Sequence, residues 1–187
     1  MAGRLFYVMG ASGAGKDSVM QGIRSKLCGS LVIAHRYITR PSDAGSENHV
    51  ALTEDEFAHR KIQGMFAMHW QANGHGYGIG CEIESWLQSD TDVMMNGSRA
   101  YFKSAKDKYG SRVIPVWIEV NPVVLGERLR GRGRESEQEI QARLARAYEY
   151  SRSRPGDAWV IDNSGDLADS IEGFVQRYIS SKKECYA

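Results

Sequence analysis

The stretch Gly10-Ala11-Ser12-Gly13-Ala14-Gly15-Lys16-Asp17-Ser18 limits what the amino-terminal part of this chain can become. Before it, Leu5 to Met9 is a short continuous apolar run, the pattern of a strand buried on both faces. After it, Val19, Met20, Ile23 and Leu27 recur at helical spacing until Gly29 stops the helix. Gly10, Gly13 and Gly15 permit backbone angles that aim successive amide hydrogens inward. Those amides and the helix N-terminus cradle phosphate oxygens, and Lys16 reaches the outer phosphates of a nucleoside triphosphate. The residues from Gly10 to Ser18, including Ala11, Ser12 and Ala14, are therefore read as a nucleotide phosphate loop. One position departs from the usual pattern: Asp17 stands where a Ser or Thr hydroxyl ordinarily meets Mg²⁺. The metal then falls either to the Asp17 carboxylate or to Ser18 in a shifted geometry.

A chain of 187 residues has room for one α/β domain with a substantial core. With 24 basic and 23 acidic residues the net charge is only +1, so no global field points to nucleic acid or to an anionic membrane. Cys28, Cys81 and Cys185 have no metal-ligand spacing, and their odd number favours reduced thiols and a cytoplasmic setting over a disulfide framework. The first apolar run is too short for a signal peptide or a membrane span.

Strands are expected at Leu5 to Met9, Leu31 to Tyr37, Asp92 to Met95, Val113 to Val120 and Trp159 to Ile161. Asn121-Pro122 reads as a cap and first helical position before Val123 to Arg130; Ser136 to Tyr150 and Leu167 to Ile179 are further helical patterns. Strands alternating with helices predict a parallel sheet flanked by helices, with ligands at the carboxyl ends of its strands. Two segments interrupt the alternation, one over 35–80 and an arginine-rich one over 128–150. The expected organisation is thus a single domain: a phosphate-loop core over 1–34, an acceptor-binding region over 35–80, core over 81–127, a lid over 128–150 and core over 151–187.

Arg128, Arg130, Arg132, Arg134, Arg143 and Arg146 crowd the lid segment. A guanidinium pairs with phosphate oxygens through two parallel hydrogen bonds and stays charged at any relevant pH. A solvated helix face is the plainer reading, since Glu139 and Arg143 are spaced i,i+4 while Ile140, Leu144 and Ala147 would face inward. The acceptor region offers His35, Arg36, Arg40, His49, His69, His75 and Tyr77 as contacts to phosphate and sugar hydroxyls, without the pairing a zinc site needs.

With these residues placed, the chain resembles the guanylate kinase group of P-loop kinases over essentially its whole length. The resemblance runs through the phosphate loop, Thr39-Arg40-Pro41, Thr53 to Phe57, Gly74 to Gly78, Arg128 to Gly133, Ile140 to Arg146 and Asp157 to Asn163. It implies that Arg40 and Tyr77 bind the acceptor phosphate, that Arg132 and Arg143 with Lys16 act on the transferring phosphates, and that Arg128 and Asn163 belong to the ATP site. The departures matter as much. An arginine and a tyrosine of guanylate kinases fall here on Asp43 and His49, an aspartate falls on Asn96, and the guanine-reading glutamate falls on Met68 or, with a one-residue shift, His69. Losing a buried charged hydrogen-bonding group should cost a guanine site several kcal/mol, on the order of one such contact.

The replacements themselves, over 34–40, 45–49, 96–100 and 131–136, resemble bacterial ribose 1,5-bisphosphate phosphokinases of phosphonate utilisation. That resemblance implies transfer from MgATP to the 1-phosphate of ribose 1,5-bisphosphate, giving 5-phosphoribosyl 1-diphosphate (PRPP). The acceptor would carry two phosphates, each of about −1.5 to −2 charge. His35, Arg36, His49, His69 and Arg99 are the added candidates for holding it. A homodimer is compatible with the sequence. The rival readings are a nucleoside monophosphate kinase with altered base recognition, a kinase for some other sugar phosphate acceptor and a non-catalytic module binding phosphorylated peptides; the retained Lys16, loop glycines and lid arginines speak against the module.

Overall fold

Leu5–Gly10 forms β1 and runs through the three-glycine turn into helix α1 (Lys16–Lys26), as the apolar periodicity predicts. A computed structural model describes residues 2–42, 47, 49–133 and 135–184, the side chain of Glu184 excepted. Asp43, Arg134 and Cys185 lie outside the described residues. The remaining elements are β2 (Leu31–Ala34), β3 (Arg36–Ile38), β4 (Val50–Ala51), α2 (Glu54–Ile62), β5 (Phe66–Ala72), β6 (His75–Gly80), α3 (Glu82–Gln88), β7 (Asp92–Asn96), α4 (Phe102–Tyr109), β8 (Val113–Glu119), α5 (Pro122–Gly131), α6 (Glu137–Ser151), β9 (Trp159–Asp162) and α7 (Leu167–Glu184). The strands form a five-stranded sheet of order β2-β7-β1-β8-β9, whose pairs β2–β7 and β8–β9 are parallel, and a four-stranded sheet of order β4-β3-β6-β5.

Two units divide the chain, with the boundary crossing β1 after Tyr7 and β8 after Ile114. The first holds residues 1–7 and 28–114. Its core gathers Leu5, Phe6, Ile83, Leu87, Val93, Met94 and Met95, all fully buried. Asp92, also buried, accepts hydrogen bonds from the Arg4 backbone N–H and guanidinium and so fixes the amino end of β7 to that of β1.

One sequence expectation fails in this unit. The run from Leu31 to Tyr37 is not one strand: Leu31–Ala34 pairs with β7, whereas Arg36–Ile38 pairs antiparallel with β6 in the other sheet. The break falls at His35, where the apolar run ends and a polar pair begins. The small sheet is organised by a two-residue hairpin, Asn73-Gly74, both with positive φ (49° and 77°), between β5 and β6. Such a turn matches the right-handed twist of its strands. Gly76 and Gly78 leave one face of β6 bare, and the rings of Phe57 and Phe66 occupy it.

The second unit holds residues 8–27 and 115–187. Val19, Met20 and Ile23 of α1 and Phe174, Val175 and Tyr178 of α7 are buried, and Ile171 of α7 packs against Gly22. α5 begins as predicted, with the Asn121 side chain accepting from the Val123 N–H and Pro122 in the first turn. α6 begins with a reciprocal cap in which the Ser136 hydroxyl accepts from the Glu139 N–H and the Glu139 carboxylate accepts from the Ser136 N–H. Leu125, Leu129 and Ile140 form a buried cluster with Leu144, Ala147 and Ala11 packed against it. The inward face of α6 therefore carries the residues its periodicity assigns there.

Candidate active site

In the second unit, the phosphate loop is held from below and from one side. A Cβ on Gly13 would meet Leu125 and Leu129 side-chain atoms at 3.0 and 3.1 Å, so the loop lies directly on the α5 part of that cluster. Asn163 follows β9 and is 2% exposed; its Nδ2 donates to the Ala14 carbonyl at 2.7 Å, while its Oδ1 accepts from the Ser170 hydroxyl at 3.0 Å. Both ends of the amide are thus committed inside the protein. Asn163, expected beside the nucleotide, braces the loop backbone. Asn163→Ala should raise the KM for ATP about tenfold and leave the acceptor KM unchanged, which two-substrate kinetics would check.

Lys16 folds back over the loop, its ammonium donating to the Gly10 and Ala11 carbonyls at 3.1 and 3.0 Å. Asp17 and Ser18 occupy the first turn of α1, half-buried and exposed respectively. Arg143 reaches the loop from α6, donating from Nη1 to the Ser12 hydroxyl at 3.3 Å and pairing through Nη2 with Glu135 at 2.7 Å. Arg128 also lies beside the loop, its Nη1 3.9 Å from a Cβ built on Gly15. Arg130 is used differently: it pairs with Glu137 in solvent, and this guanidinium, with Gln141, holds the Glu137 carboxyl down to about 2. Arg132 ends α5 on the surface and Arg146 is exposed on α6.

In the first unit, register decides which acceptor-region residues share a face. Ile38 pairs with Tyr77 and Tyr77 with Trp70, so Arg36, Ile38, Tyr77, Ile79, Met68 and Trp70 lie on one face of the small sheet. The Arg36 guanidinium sits 5.1 Å over the Tyr77 ring, Tyr77 stacks on Trp70, and Trp70 stacks on Tyr101. His69 pairs with Gly78 and faces the other way, toward the side covered by Phe57 and Phe66. Burial, and then the Lys61 charge, hold its imidazole below the ordinary value. His69 is therefore not brought together with Arg36 and Tyr77, whereas Met68 is.

Glu47 accepts from Arg36 through both carboxylate oxygens and from Arg40 through one. The His49 ring is buried between two backbone carbonyls, Nδ1 3.1 Å from Glu47 and Nε2 3.0 Å from Arg40. His75 Nδ1 lies 2.9 Å from the Thr39 carbonyl, and the Thr39 hydroxyl accepts from the Gly76 N–H. Tyr7 donates to the Ser98 carbonyl at the end of β7, and burial raises its phenol far above the ordinary value. Asn96 is buried, while His35 and Arg99 are half-buried.

No family model matches the chain. Curated relatives named ribose 1,5-bisphosphate phosphokinase PhnN do, among them proteins from Yersinia pestis and Pantoea vagans. The protein from Yersinia pestis is 48% identical over 173 residues, 92% of this chain and 90% of its own length. That from Pantoea vagans is 49% identical over 168 residues, 90% of this chain and 93% of its own. The chain belongs to the ribose 1,5-bisphosphate phosphokinase family. Among solved structures, the guanylate kinase from Anaplasma phagocytophilum is similar over 96% of this chain and 86% of its own at TM-score 0.70 and 16% identity. A gluconokinase from Sinorhizobium meliloti gives TM-score 0.51 at 17% identity over 98% and 97%. These likenesses show the P-loop kinase fold.

For this phosphokinase-family chain, sequence reasoning misses Glu47, Glu135, Ser170 and Trp70, each of which touches a residue that it singles out, and Tyr101, which stacks on Trp70. Glu47 lies inside the 45–49 stretch that carried the family resemblance. Its sequence neighbours Ser46 and Asn48 are uncharged, so no local pattern signals the pairing. Among the described residues no helix is long and apolar enough to cross a membrane, and no group of three His, Cys, Asp or Glu side chains could hold a metal.

Proposed function

We propose that the chain transfers the γ-phosphoryl group of ATP to the 1-phosphate of ribose 1,5-bisphosphate, giving 5-phosphoribosyl 1-diphosphate and ADP. A 1-phosphate oxygen attacks the γ-phosphorus in line, the new P–O bond forms, and the bond to the β-phosphate oxygen breaks. The acceptor is already an anion, so no strong general base is required and catalysis comes from positioning and charge. Lys16 and Arg143 meet the transferring phosphates, with Arg132 and Arg128 from the lid. The loop amides of Gly10 to Gly15 hold the β- and γ-phosphates, and Asn163 serves them by fixing the Ala14 carbonyl. Arg36, Arg40 and Tyr77 take the acceptor, with His35, adjacent to Arg36 in sequence, and Arg99 as the further groups that complete it; His49 acts by shaping the Arg40 backbone.

The reaction uses Mg²⁺, which when bound to ATP offsets charge on the β- and γ-phosphates. Mg²⁺ keeps most of its ligands from water and substrate phosphate and needs only one or two protein oxygens. The Asp17 carboxylate or Ser18 hydroxyl on the first turn of α1 suits that role. The remaining organisation, an acceptor-binding region over 35–80 and a lid over 128–150 within one catalytic domain acting in the cytoplasm, belongs to the same reading.

The observation that carries the choice of acceptor is Met68. Of the two positions, Met68 and His69, that the guanylate kinase resemblance offers for a guanine-reading carboxylate, it is the one on the same face as Arg36 and Tyr77. The test is ADP release with ribose 1,5-bisphosphate, ribose 5-phosphate and GMP as acceptors. The bisphosphate should exceed GMP in kcat/KM by at least about a hundredfold, and ribose 5-phosphate, lacking the attacking 1-phosphate, should give no turnover. Preference for GMP would overturn the reading.

A further inference from the structure

One carboxylate in the first unit is bonded to two arginines expected to bind acceptor. Glu47 Oε1 accepts from Arg36 Nε and Oε2 from Arg36 Nη2, each at 2.5 Å, and Oε2 also faces Arg40 Nη2 at 3.4 Å. Its side chain is only 12% exposed. A half-hidden carboxylate repels an anionic acceptor, so its presence calls for a function that outweighs that repulsion.

The geometry of the pair supplies one. The Tyr77 ring, its centroid 5.1 Å from Arg36 Cζ, supports one side of the guanidinium, and the two-point bond to Glu47 fixes its direction. Two of the five N–H groups of Arg36 are used in this bond, which leaves three for a ligand. Arg40 Nε is buried with no hydrogen-bond partner among the described residues. The His49 ring bonds the backbone carbonyls of both Glu47 and Arg40 and so fixes the spacing of the carboxylate and the second guanidinium.

We propose that Glu47 is a positioning residue for the acceptor: its carboxylate holds Arg36 and Arg40 as one pre-aligned pair whose remaining N–H groups take a single phosphate group. Without it the two like charges separate, and an incoming phosphate has to order both side chains. A carboxylate that only occupied the phosphate's place would act with the opposite sign, because its removal would tighten binding.

This inference rests on the proposed activity only for the identity of the acceptor. Glu47→Gln keeps the side-chain volume and removes the charge. It should raise the KM for ribose 1,5-bisphosphate about tenfold, leave the KM for ATP and the melting temperature unchanged, and be partly rescued by Glu47→Asp. In an Arg36→Ala background the same change should add less than about twofold. An unchanged or lower acceptor KM, or a tenfold effect that persists in that background, overturns the proposal. Calorimetric titration of inorganic phosphate, with the phosphate loop filled by the β,γ-imido analogue of ATP, separates this role from the activity. Phosphate binding should weaken about tenfold in Glu47→Gln whichever acceptor the enzyme uses. If wild type ignores ribose 1,5-bisphosphate but this weakening is seen, the activity fails and the role of Glu47 stands. Unaltered phosphate affinity overturns that role even where wild type turns over the bisphosphate.

Discussion

Lys16→Ala lowers kcat on the order of a thousandfold and leaves the acceptor KM within about twofold. The ammonium is held at the loop by two carbonyls, Gly10 and Ala11, at 3.1 and 3.0 Å. Neutral carbonyls are weak competitors for it beside the anionic oxygens of a triphosphate, so the charge moves to the nucleotide when the loop fills. In the transition state the transferring group spreads its charge over oxygens that Lys16 and the lid arginines contact, and removing one such cation forfeits stabilisation that the ground state uses less. Because Lys16 acts on the transferring phosphates and is not among the residues proposed to hold the acceptor, the acceptor KM should change little. Steady-state kinetics with both substrates varied reads the split. Near-normal turnover would remove Lys16 from the chemistry and with it the assignment of the loop.

Gly15→Ala should be nearly as damaging, through the backbone. Gly15 has φ +83°, where a side chain is strained, and a Cβ there would come within 2.4 Å of Asn163 Nδ2. Asn163 has no room to retreat, since it is buried and bonded to both Ala14 and Ser170. The variant therefore either breaks the Asn163 brace or shifts the loop, and affinity for an ATP analogue should fall about a hundredfold. Gly29 supplies the control: its φ is +84°, but nothing lies within 4 Å of its Cβ position. Gly29→Ala should show only the backbone cost, about 1–2 kcal/mol of stability, with ATP binding intact. Equal effects of the two substitutions on nucleotide binding would refute the brace.

What the sequence made legible was local. The phosphate loop, the Asn121-Pro122 start of α5 and the inward face of α6 depend on spacings of a few residues, and all are where periodicity and capping put them. The small sheet was harder to read because its information is in pairing. Asn73-Gly74 is a strong hairpin signal on its own, yet in the strand after it Gly76 and Gly78 alternate with Tyr77 and Ile79 where polar residues would mark the pattern, as Phe57 and Phe66 fill the face that β6 leaves bare. The break at His35 was hidden because Tyr37 and Ile38 resume the apolar character after the polar pair His35-Arg36, in a different sheet. The choice between Met68 and His69 turned on a one-residue register shift, which moves a side chain to the opposite face, and only the pairing with β6 resolves it. Asn163 and Glu47 illustrate a further limit: each works by bonding residues distant from its own segment's pattern, Ala14 and Ser170 in one case and the two arginines in the other.

The central claim is the acceptor, and phosphorus NMR of the protein with MgATP tests it most directly, with ribose 1,5-bisphosphate in one sample and GMP in another. The account predicts a new pair of coupled diphosphate signals and loss of the 1-phosphate signal with the sugar, alongside ADP, and no change with GMP. Formation of GDP with the sugar bisphosphate left untouched would contradict it and make the chain a nucleoside monophosphate kinase.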